Sequence, residues 1–159
     1  MTAEQYRRGK ELLKVGALLL FAFPGSPTVY YGDEAGMEGF EDPFNRRTYP
    51  WGHEDQELLA WFKQLGALRK THPALRRGTI RYVAAEGPLL AFARADDGEE
   101  LLCVCNAGDG PVALPLPGKT ASILVGSPAL APLEEDEGGQ ITLPPRSGAA
   151  LLLGKLGQK

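Results

Sequence analysis

The apolar and polar positions divide the chain into a first half with helical spacing and a second half of short alternating runs. The first helix is predicted from Thr2 to about Phe21, because Thr2 can cap it and leucines concentrate toward its end. A second helix is predicted from Glu54 to Lys70, where Pro73 follows as a stop signal. Its apolar stripe consists of Leu58, Trp61, Phe62, Leu65 and Leu68.

A short strand and a long loop are predicted between these helices. Residues Thr28 to Tyr31 are β-branched and aromatic, but the run is too short to form a strand on its own. Residues 32–52 contain four glycines and two prolines among scattered charges. A loop of this length inside a compact domain is usually functional.

The second half predicts an antiparallel β-sandwich or barrel. Its seven runs cover residues 79–84, 89–94, 100–106, 112–116, 121–125, 140–143 and 149–153. Turn signals separate them, and Asp97-Gly98 between two alternating runs predicts a hairpin. We therefore expect an α/β segment followed by an all-β domain, with the boundary between Pro73 and Gly78.

Two cysteines, Cys103 and Cys105, lie two residues apart on a predicted strand. Their side chains would share one face, and a mutual disulfide would be strained in extended backbone. We interpret both as packed strand residues rather than as metal ligands or redox groups.

Charged residues gather in the loop after the predicted strand. Asp33 and Glu34 come first, and Asp42, Arg46 and Arg47 lie further along. This layout places charged donors and acceptors at the end of a strand, which is where α/β barrels hold their ligands.

Two segments of this region resemble the eighth-strand segment of α-amylase-family glycoside hydrolases, in particular cyclomaltodextrinases, neopullulanases and maltogenic amylases. Residues 30–37 read Tyr-Tyr-Gly-Asp-Glu-Ala-Gly-Met, and residues 42–47 read Asp-Pro-Phe-Asn-Arg-Arg. The resemblance implies that residues 1–76 form the last helix, strand, loop and helix of a (β/α)8 barrel. It implies a small C-terminal antiparallel β-sandwich over residues 77–159. Only 23 residues precede Pro24, so we expect most of the barrel to be missing.

The same resemblance implies roles for Asp42 and Arg46 as contacts to a glucose unit. A carboxylate can accept from a pair of sugar hydroxyls, and a guanidinium can donate in a fork. From the residues alone, a surface ion pair with Asp42 capping a turn before Pro43 is the favoured alternative. The motif match favours the sugar contact in an intact enzyme.

Four further loop residues could support the site, and they are Asp33, Glu34, Arg47 and Trp51. Asp33 and Glu34 are adjacent in a segment taken as extended, so they cannot form the close acid and nucleophile pair of a retaining glycosidase. We expect them to satisfy backbone donors of the loop and to help bind Arg46 or Arg47. Trp51 is expected either to stabilise the loop or to stack on a sugar face.

No catalytic residue is assigned in this chain. The resembled enzymes are retaining hydrolases of α-1,4 glucosidic bonds, with α-1,6 bonds as a further candidate, in maltooligosaccharides, cyclodextrins or pullulan. Their nucleophile, their acid/base and their Asn-His-Asp motif would lie before residue 1, so we expect the chain alone to be inactive. Neither a cofactor nor a metal site is expected. The acidic run over residues 134–137 is interpreted as a solvated turn.

Composition and charge limit the classes of partner that we expect for this chain. A net charge of −3 without a basic stripe argues against nucleic acid, and the apolar run of residues 15–24 is too short for a membrane span. We expect a cytoplasmic protein whose partners are an α-glucan and either the missing barrel portion or a second copy. The alternatives are a non-catalytic α-glucan-binding module and a structural or dimerisation module.

Overall fold

The computed structural model describes residues 2–116, 119–127 and 139–155. Three helices come first, and they are α1 (Ala3–Ala22), α2 (Gln56–Thr71) and α3 (Pro73–Arg77). The strands that follow are β1 (Thr79–Glu86), β2 (Leu89–Asp96), β3 (Glu99–Asn106), β4 (Val112–Pro115), β5 (Lys119–Gly126), β6 (Gln140–Leu143) and β7 (Ser147–Lys155). The acidic run of residues 134–137 lies outside the described residues.

The ends of the two long helices follow from side-chain caps. The Thr2 hydroxyl accepts from the Gln5 backbone N–H at 3.1 Å, and the Gln5 side chain accepts from the Thr2 N–H at 2.8 Å. This capping box confirms the predicted start of α1. At α2, Asp55 accepts from the N–H groups of Glu57 and Leu58, so the helix begins two residues later than predicted. None of the described helices is both long and apolar enough to cross a membrane.

The predicted strand over Thr28 to Tyr31 is wrong. Residues 26–30 are irregular and residues 31–36 form turns. A strand needs a neighbour whose backbone groups complete a ladder, and every strand in the described ranges lies in the sheets of the second half. High β propensity at four residues does not replace that partner.

All seven predicted strands of the second half are present in the described residues, and this all-β prediction is confirmed. Five form an antiparallel sheet in the order β1-β2-β3-β7-β5, and β4 pairs with β6 in a second sheet. Asp96 pairs with Glu99, which leaves Asp97-Gly98 as a two-residue loop with φ values of 25° and 86°. The predicted hairpin is therefore confirmed, since such loops need positive φ at both positions.

The five-stranded sheet has apolar side chains on both faces. Its helix-side face contributes Phe92, Leu101, Cys103, Cys105 and Ala150, which pack with residues of α1, α2 and α3. Its other face contributes Ala91, Leu102, Val104, Ala149 and Leu151, which pack against β4 and β6. Successive β3 residues thus alternate between two cores, as strand geometry requires. The chain is layered as helices, large sheet and small sheet.

Both cysteines lie on the helix-side face, and the prediction that they are packed strand residues is confirmed. Burial raises the pKa of the Cys103 and Cys105 thiols to about 12. Because the thiolate is the reactive form, both side chains act as small apolar groups here.

The helix-side core continues across the predicted boundary at residues 73–78. Leu75 of α3 is fully buried together with Leu18 of α1 and Phe92 of β2. The division into two domains at this point stays a prediction, and the two halves share one core.

Helix α1 contacts the sheet at Gly148 of β7, through the Leu18 side chain. A Cβ atom at this position would lie 2.9 Å from Leu18 Cδ2 and 3.0 Å from the Val104 carbonyl oxygen. Real Cβ atoms seldom have contacts this short, and a backbone oxygen in a central sheet cannot move aside cheaply. Glycine at residue 148 therefore leaves room for Leu18 of α1 against the sheet.

We expect Gly148→Ala to destabilise the fold by about 1–3 kcal/mol, because the new methyl group overpacks the interface between helix and sheet. Gly16→Ala is the matched control, since nothing lies within 4 Å of a Cβ there and alanine favours a helix. Urea unfolding should show a loss of stability in the first variant and a gain in the second. Equal effects in both variants would contradict this account of Gly148.

Candidate functional site

The candidate loop begins with a tight turn around Gly32. The Gly32 carbonyl accepts from the N–H groups of Ala35 at 3.1 Å and Met37 at 2.9 Å. Gly32 has a φ of 96°, and a Cβ there would overlap the Met37 side chain. The positive φ favours glycine at this position, and a larger residue would also displace the Met37 side chain.

Asp33 and Glu34 lie inside this turn. The Glu34 carboxylate accepts from the Gly32 N–H at 3.1 Å, which places it on a backbone donor of the loop. Burial raises the pKa of Asp33, and the neighbouring negative charge of Glu34 raises it further. Because residues 31–36 are turns, the extended geometry assumed for this pair does not hold.

Asp42 and Arg46 are brought together on the surface. Arg46 Nε lies 3.1 Å from Asp42 Oδ1, and the side chains are 69% and 62% exposed. The peptide bond between Asp42 and Pro43 is cis. An ion pair this exposed contributes little to stability, and both groups remain accessible to a ligand.

Arg47 faces a different set of neighbours. Its guanidinium carbon lies 4.8 Å from the centroid of the Phe40 ring, within the range of a cation–π contact. Its backbone carbonyl accepts from the Tyr31 hydroxyl at 2.9 Å, which ties the loop back to the turn. The loop that carries the ion pair also forms a shallow depression of about 520 Å³, which is lined by Phe40, Glu41, Phe44 and Arg47.

Trp51 lies near the end of the loop with 80% of its surface exposed. Its ring is tilted against that of Tyr49, with centroids 4.6 Å apart. Trp51 therefore offers an apolar face with a polar edge to solvent, beside the half-buried Tyr49.

Sequence reasoning missed a charged network under the loop. Lys10 Nζ lies 2.8 Å from Asp55 Oδ1 and 2.5 Å from Glu57 Oε2, and Lys14 also pairs with Glu57. The Tyr6 hydroxyl donates to Asp55 at 3.1 Å. The available signal was the spacing of Lys10 and Lys14, which lie four residues apart and therefore on one face of α1.

Asp55 also holds the loop. Its backbone N–H donates to the Ala35 carbonyl at 2.9 Å, and a Cβ at Gly36 would lie 2.9 Å from both Asp55 Cβ and the Tyr6 hydroxyl oxygen. The turn after Gly32 is therefore fastened to the start of α2 and to α1. A groove of about 270 Å³ opens beside it, lined in part by Leu13 and Met37.

The network shifts several pKa values. Burial by itself would raise the pKa of Asp55, but hydrogen bonds from Lys10 and the Leu58 N–H outweigh it and hold that pKa below its ordinary value. Hydrogen bonds from Lys10 and Lys14 lower the pKa of Glu57. Burial would lower the pKa of Lys10, yet its bonds to the two carboxylates raise it overall.

These shifts predict acid sensitivity. The ordinary pKa values are 3.8 for Asp55 and 4.5 for Glu57. Since the unfolded carboxyls bind protons at higher pH than the folded ones, stability is present above these values and is lost as pH falls below them. We expect the drop in melting temperature between about pH 6 and pH 3 to shrink in the double variant D55N/E57Q. The control E86Q, at an exposed position of β1, should keep the full drop; an equal reduction there would contradict the assignment.

One family model and several known proteins match this chain. Residues 75–150 match a family model described as "Domain of unknown function (DUF3459)". A cyclomaltodextrinase from Geobacillus thermopakistaniensis is 41% identical over 115 residues, covering 69% of this chain and 20% of that enzyme. An amylopullulanase from Thermoanaerobacter thermohydrosulfuricus is 45% identical over 82 residues, covering 52% of this chain and 6% of that enzyme.

The fold has a solved counterpart in an Anoxybacillus α-amylase. That structure superposes with a TM-score of 0.80 at 29% identity, over 92% of this chain and 33% of that chain. The chain corresponds to the C-terminal region of α-amylase-family enzymes, which confirms the resemblance seen in residues 30–47. Within that region, residues 75–150 carry the DUF3459 domain. The chain spans about a third or less of the length of these relatives.

Proposed function

We propose that this chain supplies the last substrate loop and the C-terminal β-sandwich of a retaining glycoside hydrolase. Its substrates would be maltooligosaccharides, cyclodextrins or pullulan, with α-1,4 bonds as the main linkage and α-1,6 bonds as a second. The names of the matched cyclomaltodextrinase and amylopullulanase support this substrate class. Asp42 and Arg46 would contact a glucose unit, and the chain itself would supply no nucleophile or acid/base.

One observation carries the proposal for the site. The Asp42–Arg46 pair is exposed on a loop whose first turn is fastened to α1 and α2. A carboxylate acceptor and a planar donor 3.1 Å apart can accept from and donate to neighbouring hydroxyls of a sugar ring. Sugar hydroxyls would replace water on both groups.

The partner proposed for the first half is the remainder of such a hydrolase or a second copy of the chain. The groove beside the Gly32 turn contains Leu13, Met37, Phe40 and Leu58 among its lining residues. Tyr30 is 55% exposed and Tyr31 is 43% exposed in the segment that follows α1. Covering these apolar surfaces would remove them from water. We propose a cytoplasmic location for the assembled protein.

We expect no hydrolysis of maltotriose or a cyclodextrin by the purified 159-residue chain. Under the proposal, neither the acid/base carboxyl nor the nucleophilic carboxylate of the reaction belongs to this chain. Chromatographic analysis of the sugars after long incubation measures this directly. Release of glucose or maltose above a heat-treated sample would contradict the proposal and require carboxylates of this chain to act.

Sugar binding tests the role of the ion pair. If the chain binds maltoheptaose, Arg46→Ala and Asp42→Ala should each weaken binding by about tenfold or more, because each removes a charge-assisted hydrogen bond. Ligand-observed NMR measures the affinity without relying on tryptophan. Arg81→Ala is the matched control, since Arg81 forms an exposed ion pair with Glu100 on the sheet.

The same titration separates the proposal from a non-catalytic α-glucan-binding module. The exposed Trp51 ring, packed against Tyr49, favours that second candidate as a stacking surface. Loss of binding in Trp51→Ala, with unchanged affinity in Arg46→Ala, would favour the binding module over the proposed contacts. Absence of any binding together with oligomers in solution would favour a structural or dimerisation module.

A further inference from the structure

The end of α1 has no positive charge of its own. Its last turn contains no basic residue, although the final carbonyls of a helix carry partial negative charge and lack partners within the helix. Arg69 of α2 supplies the positive charge at the C-terminal carbonyls of α1. It donates from Nη1 to the carbonyls of Phe21 at 2.7 Å and Phe23 at 3.2 Å, and from Nη2 to that of Gly25.

A second arginine reaches the same place from the sheet. Arg94 of β2 is completely buried and donates from Nη1 to the Ala22 carbonyl at 2.5 Å. It also donates to Gly78 at 2.9 Å and to Thr79 at 3.1 Å. Its hydrogen-bond partners in the described residues are all backbone carbonyls. One guanidinium therefore joins the end of α1 to the beginning of β1.

Such a buried cation is costly. Burial lowers the pKa of Arg94, and the positive charge of Arg69 lowers it further. An apolar side chain would avoid this penalty, but it could not hold three carbonyls from two segments in a fixed arrangement. The three hydrogen bonds from Arg94 offset the cost of burying its charge by holding the backbone at Ala22, Gly78 and Thr79 in place.

That backbone leads directly into the candidate loop. After Gly25, Val29 packs on the helix-side core, and the Gly32 turn follows. The turn is then held at Ala35 by the Asp55 N–H. Residues 26–34 are thus fixed at both ends, by the two arginines on one side and by the start of α2 on the other.

We propose that Arg94 and Arg69, together called the arginine clamp, are positioning residues for the candidate sugar loop. The clamp transmits the position of the five-stranded sheet to the turn at Gly32 and so to the loop that carries Asp42 and Arg46. The sheet domain then orients the site as well as stabilising the chain. The link to sugar binding rests on the proposed function, whereas the effect on the loop does not.

Hydrogen exchange of backbone amides tests the clamp in the 159-residue chain without any ligand. In Arg94→Met, the amides of Ala35 and Met37 should exchange about tenfold faster or more, because charged hydrogen bonds that restrict local opening are lost. The amides of β3 should keep their protection. Arg81→Met, the same change at an exposed position of β1, should leave both sets unchanged.

Two outcomes would overturn the proposal. Unchanged exchange at Ala35 and Met37 in a less stable variant would show that Arg94 serves only stability. An equal increase at the turn and throughout β3 would show global opening. If Arg94→Met does not fold, Arg69→Met tests the same amides from the half-buried arm of the clamp, and Arg94→Lys should restore only part of the protection because an ammonium lacks the planar fork.

Maltoheptaose then separates the clamp from the proposed function. If the wild-type chain binds the sugar, Arg94→Met should weaken binding several-fold, whereas Arg81→Met should not. Unchanged affinity in Arg94→Met would overturn the link between the clamp and the site. If the wild-type chain does not bind, the proposed sugar contact fails in this chain, and the exchange rates still decide whether the clamp positions the turn.

Discussion

The contact of α1 with the five-stranded sheet is the constraint on which the other parts depend. Gly148 lets the helix approach β7, and Leu18 fills the space above it. Because the two halves of the sequence share this core, α2 and α3 pack on the same face of the sheet. The position of the loop between α1 and α2 then follows from how both helices lie on the sheet.

Several charged side chains in this chain join one element of the fold to another. Arg69 and Arg94 bind backbone carbonyls at the end of α1, and the lysines of α1 bind the carboxylates at the start of α2. At the end of α1 the arginines satisfy carbonyls that the helix leaves without partners. At the start of α2 the free N–H groups are capped by Asp55, and the lysines neutralise Asp55 and Glu57. The Asp42–Arg46 pair differs, since it is exposed and holds no other element. That contrast is the physical reason to regard it as available for a ligand.

Local signals were sufficient for most elements. Thr2 capped its helix, Asp97-Gly98 formed its hairpin, and the alternating runs of the second half became strands. Each of these depends on residues close together in sequence, where capping, turn geometry and side-chain alternation act. The strand predicted from Thr28 to Tyr31 is absent because a strand forms only beside a neighbouring strand. The β propensity of four residues carries no information about whether that neighbour is present.

The sequence alone determined α1, α2, the strands of the second half and the family resemblance, because their determinants lie within short windows. Helix α3 was missed, since Pro73 was interpreted only as a stop signal and it also begins a short helix. It also singled out Asp42 and Arg46. Tertiary structure decided that the halves share one core and that Lys10 and Lys14 meet Glu57. It also placed Arg94, 72 residues from Ala22, at the end of α1. These contacts join residues far apart in the chain, so their existence depends on how helices and sheet pack, which no local pattern specifies.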